Sequence, residues 1–437
     1  MSILHKGSEI DRIIFDGKEI SEVYYNGEKI FPPFVAGEPY ISFIEENKTP
    51  FTLKTYRETK NWDGILEYSA DTENWEEWDG KSINSSANGE LYLRGKNNTY
   101  LTGRDEAEAS DEEDEYMWHS KLSFTRNVSI GCFGNIENLL DYEKVSKKQH
   151  PEMAERGLQY LFYECEQLVH APELPTPVLT RACYRGMFKL CSALKETPEL
   201  PAMELAPLCY YGMFEECTSI KEPPKLPATK MATACYHTMF KMCNALEIAP
   251  ELPAMELAPS CYRAMLSNTY KLETPPKLPA TKLPEYCYVS MFYCSSITEA
   301  PEIPATEVGR CSCMQMFEYC EKLTKAPRIL PAMNLDYSAY ISMFKDCFAL
   351  EEAPELPATE LADYCYQYMF ENCTALKKAP EKLPATTFGE GCYDDMLNGC
   401  TSLTGTIHCP ASTADNSYRL DMAAGIPSNT ATVVYDL

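Results

Sequence analysis

Between residues 157 and 403 the apolar positions follow one arrangement that returns about every 26 residues, C-Y-x-x-M-F-x-x-C-x-x-L-x-x-x-P-E-L-P-A-x-x-L. Cys183, Tyr184, Met187, Phe188, Cys191 and Leu194 fill one copy, and the same slots recur from Cys209, Cys235, Cys365 and Cys392. Degenerate copies start at Gly157, Cys261, Cys287, Ser312 and Ala339, giving ten, with one-residue slips after Cys287, at Arg328-Ile329-Leu330 and at Glu381-Lys382-Leu383. At 100° per residue, offsets 0, 1, 4, 5 and 8 share one helical face. The first half of each unit is therefore predicted to be a helix, with Arg185, Gly186, Glu215, Lys241 and Glu371 turned outward. The second half, as in LKETPELP from Leu194 to Pro201, carries two prolines that stop a helix and favour an extended segment. Neither piece can bury its apolar side alone, whereas stacked copies build a continuous core. The prediction is an α/β solenoid about 50 Å long at the ~4.8 Å spacing of paired strands.

Polar positions inside the unit are patterned as well. The slot before Leu-Pro runs Glu199, Lys225, Glu251, Lys277, Glu302, Arg328, Glu355, and a second runs Glu204, Lys230, Glu256, Lys282, Glu307, Asn334, Glu360. Equivalent slots are lateral neighbours in a stack, where opposite charges attract by ~0.2–1 kcal/mol per pair. Both ladders read as structural rather than as a charged ligand groove. The slot after the repeat leucine shows no alternation: Lys195, Lys221, Glu247, Glu273, Thr298, Thr324, Glu351 and Lys377. A recognition face is expected there. The tyrosine column, from Tyr184 and Tyr210 to Tyr366 and Tyr393, has the phase of core packing rather than of a sugar-stacking strip, as do the Met-Phe pairs and the cysteines.

These units resemble the leucine-rich repeats of the BspA-like, or Treponema, type, in which C-x-x-L-x-x-I-x-L-P-x-x-L leads into A-F-x-x-C. Here Met-Phe stands in place of Ala-Phe. The resemblance covers residues 157–403, and VSIGCFGNIENLL (Val128 to Leu140) is similar to the lead-in of such arrays. It implies a leucine-rich-repeat solenoid spanning 128–408 and a surface adhesin or recognition protein. Cys-Tyr-x-x-Met-Phe arrays are similar to those of gut bacteria and their phages.

Residues 1–33 have a different grammar. ILHKGSEI, IIFDGKEI and VYYNGEKI place Gly7, Gly17 and Gly27 in one slot of a ten-residue period, and Asp16-Gly17 and Asn26-Gly27 signal two-residue hairpin turns. Such a β-hairpin ribbon needs a partner surface, so Ile13, Phe15, Tyr24, Tyr25 and Ile30 are expected to serve assembly. The segment resembles attachment modules of phage tail and fibre proteins. From 34 to 127, YISFIEE, FTLKTY, GILEYSAD, WEEWDG and GELYLRG alternate as in a small β-sandwich. Its Trp62, Trp75 and Trp78 are assigned to the core rather than to sugar stacking, and the acidic run Asp105–Glu115 to a solvated loop rather than a Ca²⁺ site, since it lacks the D-x-[DN]-x-[DN]-G pattern. Residues 409–437 leave the repeat and end in ATVVYDL, a capping strand.

A net charge of −26 over 437 residues opposes nucleic acid and anionic membranes as partners. Lys6, Glu9, Asp11 and Arg12 interrupt any signal-peptide core, and no run of about 18–20 apolar residues offers a membrane span. Synthesis in the cytoplasm is expected. The cysteines recur as C-x7-C, as the shorter C-x6-C from Cys287 to Cys294, and never as C-x2-C, which favours buried thiols over zinc; facing cysteines are also candidates for disulfides. Catalytic and cofactor motifs such as G-x-S-x-G, a Walker loop or H-E-x-x-H do not occur, so the expectation is a protein that is not an enzyme, with no cofactor or metal. Two functions are expected: a phage virion part, such as a tail fibre or baseplate appendage, joined to other virion proteins through its N-terminus, or a BspA-like bacterial cell-surface adhesin. The fibre resemblance implies a homotrimer, and a host surface protein or glycan as ligand.

Overall fold

A computed structural model describes residues 37–102, 121–411 and 431–436 in full and, between Leu4 and Phe31, the backbone of the strand residues. Three antiparallel hairpins lie in that first stretch: β1 (Leu4–His5) with β2 (Ser8–Glu9), β3 (Ile13–Phe15) with β4 (Lys18–Ile20), and β5 (Val23–Tyr25) with β6 (Glu28–Phe31). Their register sets Phe15 opposite Lys18 and Tyr25 opposite Glu28. Ile13 and Phe15 fall on β3, Tyr24 and Tyr25 on β5, and Ile30 on β6; their side chains, like the acidic run 105–115, lie outside the described residues.

The strands that follow are β7 (Ile41–Glu45), β8 (Thr52–Thr55), β9 (Ile65–Ser69), β10 (Glu76–Glu77), β11 (Ile83–Asn84), β12 (Glu90–Lys96), β13 (Leu122–Phe124) and β14 (Ile130–Phe133). Then come helix α1 (Asn138–Ser146) and β15 (Leu168–His170). One sheet has the order β10-β9-β12-β7-β14-β15 and the other β11-β8-β13. Strict alternation along β7 and β12 buries Ile41, Phe43, Leu91 and Leu93 between the layers, where Phe43 meets Phe124 edge-on at 5.3 Å. Trp62 and Trp78 are buried together, 5.4 Å apart, whereas Trp75 stays half-buried beneath the Arg94 guanidinium at 3.9 Å. Gly95 on β12 lies so close to α1 that a Cβ there would sit 1.7 Å from the Leu139 carbonyl oxygen.

The array grows directly out of this sheet. β14 runs antiparallel to β7 on one side and parallel to β15 on the other, so pairing changes from antiparallel to parallel at that strand and continues into the repeats. One hydrophobic core extends without interruption from Ile41 to Ala431. Parallel pairing recurs in β16 (Lys282–Leu283), β17 (Glu307–Val308), β18 (Asn334–Leu335) and β19 (Glu360–Leu361), stacked in chain order, and as single bridges joining Val178, Glu204, Lys230 and Glu256. Finally β20 (Gly405–Cys409) pairs in parallel with β21 (Ala431–Tyr435). The repeat region is a β-solenoid.

The predicted repeat helices are not there. Among the described residues α1 is the one α-helix, and the stretch from Cys183 to Cys191 is a chain of tight turns. Every fourth residue adopts left-handed backbone, as at Ala182 (φ 53°), Gly186 (56°) and Leu190 (65°), and again at Leu208, Gly212 and Glu216. Alternate amides do different work. Met187 N–H closes a turn onto Tyr184 O at 3.2 Å, while Tyr184, Gly186 and Phe188 donate to Cys209, Tyr211 and Met213 of the next coil at 3.0, 2.8 and 3.0 Å. A left-handed L-residue costs roughly 1–2 kcal/mol; the inter-coil bonds that this backbone permits offset it. With a true period of four, offsets 0, 4 and 8 become equivalent, as do 1 and 5. Tyr184, Tyr210, Tyr236, Tyr262 and Tyr288 thus stack face to face at 5.9–6.1 Å, and Phe162, Phe188, Phe214 and Phe240 at 5.4–5.7 Å.

Candidate functional site

All eight residues named after the repeat leucine are exposed on the extended side of the coils, and several satisfy one another. Lys221 reaches Glu247 at 3.8 Å, Lys377 reaches Glu351 at 3.2 Å, and Thr324 Oγ1 donates to the Thr298 carbonyl at 3.0 Å. Lys195, on the first of these coils, donates its backbone N–H to Val169 O at 3.4 Å. Glu273 and Thr298 border a proline-walled cleft of about 560 Å³ between two coils. The adjacent slot holds a third alternating ladder that the sequence reading passed over: Lys325 contacts Glu299 at 2.5 Å and Lys378 contacts Glu352 at 2.5 Å. Within the second predicted ladder, Lys230 pairs with Glu256 at 3.7 Å and Lys282 with Glu307 at 2.7 Å. Every one of these partners is at least half exposed, so each pair contributes only about 0–1 kcal/mol.

A larger concavity lies elsewhere, along the turns, with a volume of about 1040 Å³. Two slots of the turn build its walls. Offset 2 supplies Arg185, Tyr211, His237 and Arg263 from four consecutive coils, and offset 6 supplies Lys189, Glu215 and Lys241. Leu208, Ala234 and Ala264 line it with small apolar groups, and Thr233, Thr238, Ser260, Ser267 and Ser290 with hydroxyls. Tyr160, Tyr163 and Tyr293 also line it.

Successive coils place these side chains in contact. The Arg185 guanidinium lies 4.7 Å over the Tyr211 ring, whose centroid is 4.5 Å from that of His237. Buried Glu215 is held by Lys189 at 3.2 Å, Lys241 at 3.5 Å and the Thr238 hydroxyl at 3.2 Å. Counting Arg181, five cations face one carboxylate in a chain whose net charge is −26. The consequence is visible at His237: burial first, then the charges of Arg263, Arg185 and Lys241, depress its pKa to about 3, so the imidazole is neutral. Burial likewise pushes Tyr160 up to about 12 against the opposing pull of Arg185. Farther along the array the same offset carries Glu318, Lys345 and Glu371, so the cationic character belongs to the first coils only.

No family model and no curated protein matches the chain. Among solved structures it is similar to a leucine-rich repeat protein from Bacteroides ovatus, at 15% identity and a TM-score of 0.21, over 70% of this chain and 96% of that one.

Of the groove residues, the helical pattern set only Arg185, Glu215 and Lys241 outward, and the structure buries the first two; a helix scatters offsets 2 and 6 around a cylinder. A period of four draws them into two parallel rows. The signal was the crowding of Arg185, Lys189, His237, Lys241 and Arg263 into four consecutive copies of an otherwise acidic chain.

Proposed function

We propose that the chain is a non-enzymatic structural and recognition part of a bacteriophage virion, a tail-fibre, baseplate or similar appendage, which presents its solenoid to a host surface protein or glycan. Support for the recognition role is the groove, an open cavity walled by side chains from successive coils and opposite in sign to the molecule as a whole. Support for the virion role is the series of hairpins, β1 to β6, with the likeness of their sequence to fibre attachment modules. The leucine-rich-repeat assignment to the BspA-like type belongs to the same proposal, as do the count of ten units and trimeric assembly through residues 1–33. A role without catalysis fits the thiols. Burial keeps Cys191, Cys217 and Cys347 protonated and out of reach of substrate.

The test is the native mass of the full chain beside a version lacking residues 1–33, by light scattering on a sizing column, together with attachment of the labelled full chain to bacterial cells. An oligomer that becomes a monomer on truncation supports the attachment role; two monomers remove it and favour the second reading, a BspA-like adhesin acting alone at a bacterial cell surface. Attachment that survives unchanged in Lys241→Gln and Arg263→Gln removes the groove from recognition.

A further inference from the structure

We infer that the turn-face groove binds an acidic oligosaccharide, with the Arg263 guanidinium taking a negative group and the half-buried Tyr211 and His237 contacting the sugars with their exposed parts. The inference rests on the recognition reading and adds the class of ligand.

Charge comes first. Five cations against one carboxylate make a positive strip on a chain of net −26. A long polyanion such as nucleic acid meets the repulsion of the whole molecule, while a short ligand is screened from it beyond the Debye length of about 10 Å at 0.1 M salt and senses the groove. Arg263 is half-buried at the wall and pairs with no carboxylate among the described residues. Arg185 is buried behind the strip, over Tyr211, where it adds positive potential.

Form comes second. Arg185, Tyr211, His237 and Arg263 occupy one slot in consecutive coils, so cations bracket two rings along the axis, the outer pair three coil steps or roughly 14 Å apart. Saccharide chains combine the same features: ring faces in series with charged substituents between them. Hydroxyls from Thr233, Ser260 and Ser290 supply donors and acceptors that a polyol needs.

A peptide fits less well. Binding by strand addition needs an unpaired backbone edge, yet the turn amides here are spent between coils: Gly212 N–H on His237 O at 2.8 Å and Thr238 N–H on Arg263 O at 2.9 Å. Ala234 and Ala264 are too small to wall the deep apolar pockets that anchor peptide side chains.

Calorimetry on the full chain at about 0.1 M salt tests this with tetragalacturonate, its methyl ester, a sulfated heparin-type tetrasaccharide and tetraglutamate. Expected is binding of at least one acidic saccharide, a loss of tenfold or more for the uncharged ester relative to tetragalacturonate if the carboxylate is the group read, and a tenfold or greater loss of the acidic saccharide in Arg263→Gln with an unchanged melting profile. Lys241→Gln serves as the second variant should Arg263→Gln unfold. Preference for the sulfated sugar identifies sulfate as the group read and supports the proposal equally. Binding of tetraglutamate as tight as any saccharide, or no binding of either acidic saccharide, overturns the ligand class while cell attachment remains a separate measure of recognition.

Discussion

Cys217 donates its thiol proton to the carbonyl oxygen of Phe188, one coil earlier, at 3.0 Å. The same bond joins Cys191 to Phe162, Cys243 to Phe214, Cys320 to Phe292, Cys373 to Phe344 and Cys400 to Phe370 at 3.0–3.1 Å. Where the slot is not cysteine it is Thr269 or Ser295, again a hydroxyl donor. The residue type therefore answers two demands, a small volume that buries like an apolar group and a proton for a carbonyl inside the core.

Replacing Cys217 separates those demands. Phe188 O also accepts Cys191 N–H at 3.0 Å, so losing the thiol leaves it under-satisfied rather than orphaned. Cys217→Ala is expected to cost about 1–3 kcal/mol, the sum of one net hydrogen bond and a small cavity. Cys217→Ser keeps a donor and should cost less. Urea midpoints for the two variants decide the matter, and equal losses would mean that the thiol acts by volume alone.

Thiol chemistry follows from the same geometry. Nineteen of the twenty cysteines are buried and Cys294 is half-buried; all are free. Burial, then the neighbouring Cys243, holds the Cys217 thiol far above its ordinary pKa, and burial sets Cys183 and Cys320 at about 12. Since the thiolate is the reactive form, native protein treated with a maleimide at pH 7.5 should label at Cys294 first, with all twenty reacting in guanidinium. Mass mapping that finds a column cysteine labelled ahead of Cys294 would contradict the buried column.

Gly186 and Gly212 share one slot and nearly one conformation, φ 56° and 57°, yet differ in surroundings. A Cβ on Gly186 would lie 1.9 Å from Tyr160 Cε1, whereas on Gly212 the nearest atom would be Glu215 Oε2 at 3.1 Å. Thr238 and Ala264 hold the slot in later coils, so the left-handed backbone by itself is tolerated. Gly212→Ala should cost about 1 kcal/mol and Gly186→Ala about 2–4 kcal/mol, since the latter must also displace a buried ring. Thermal melts of the two variants compare them directly.

These residues also show what the sequence could and could not reveal. Burial was legible because offsets 0, 1, 4, 5 and 8 fall on one side at either 90° or 100° per residue, and nine residues are too few to separate the two. The alternating ladders were legible because charge sign is written in residue identity, which is how Lys282 and Glu307 could be matched before their 2.7 Å contact was seen. Backbone handedness was not. Glycine at 186 and 212 and asparagine at 268 and 372 hint at positive φ, but Leu190, Met242 and Tyr368 occupy the same kind of position and give no sign of it. The groove was lost with that handedness, since its two rows exist only at a period of four.

Acid should weaken the fold in two distinguishable stages. His237 has a pKa of about 3 when folded against about 6.5 unfolded. Between those values the unfolded chain binds a proton that the folded chain refuses, so stability falls as pH drops below 6.5 and this contribution is exhausted near 3. Glu45 follows lower down. Burial would raise it, but hydrogen bonds from Thr49, Ser129 and Asn47 outweigh burial and set it at about 2, so its contribution is complete above about 4.5 and lost as pH falls through 2. His237→Gln removes the first stage and leaves the second. The difference in urea midpoint between wild type and variant should therefore shrink from pH 7 to pH 4, and a constant difference would show that the imidazole already carries its proton in the folded groove. Because it stays neutral across that range, the cations around it keep their number, and affinity for an acidic ligand should hold level from pH 7 until the ligand's own acid groups take up protons.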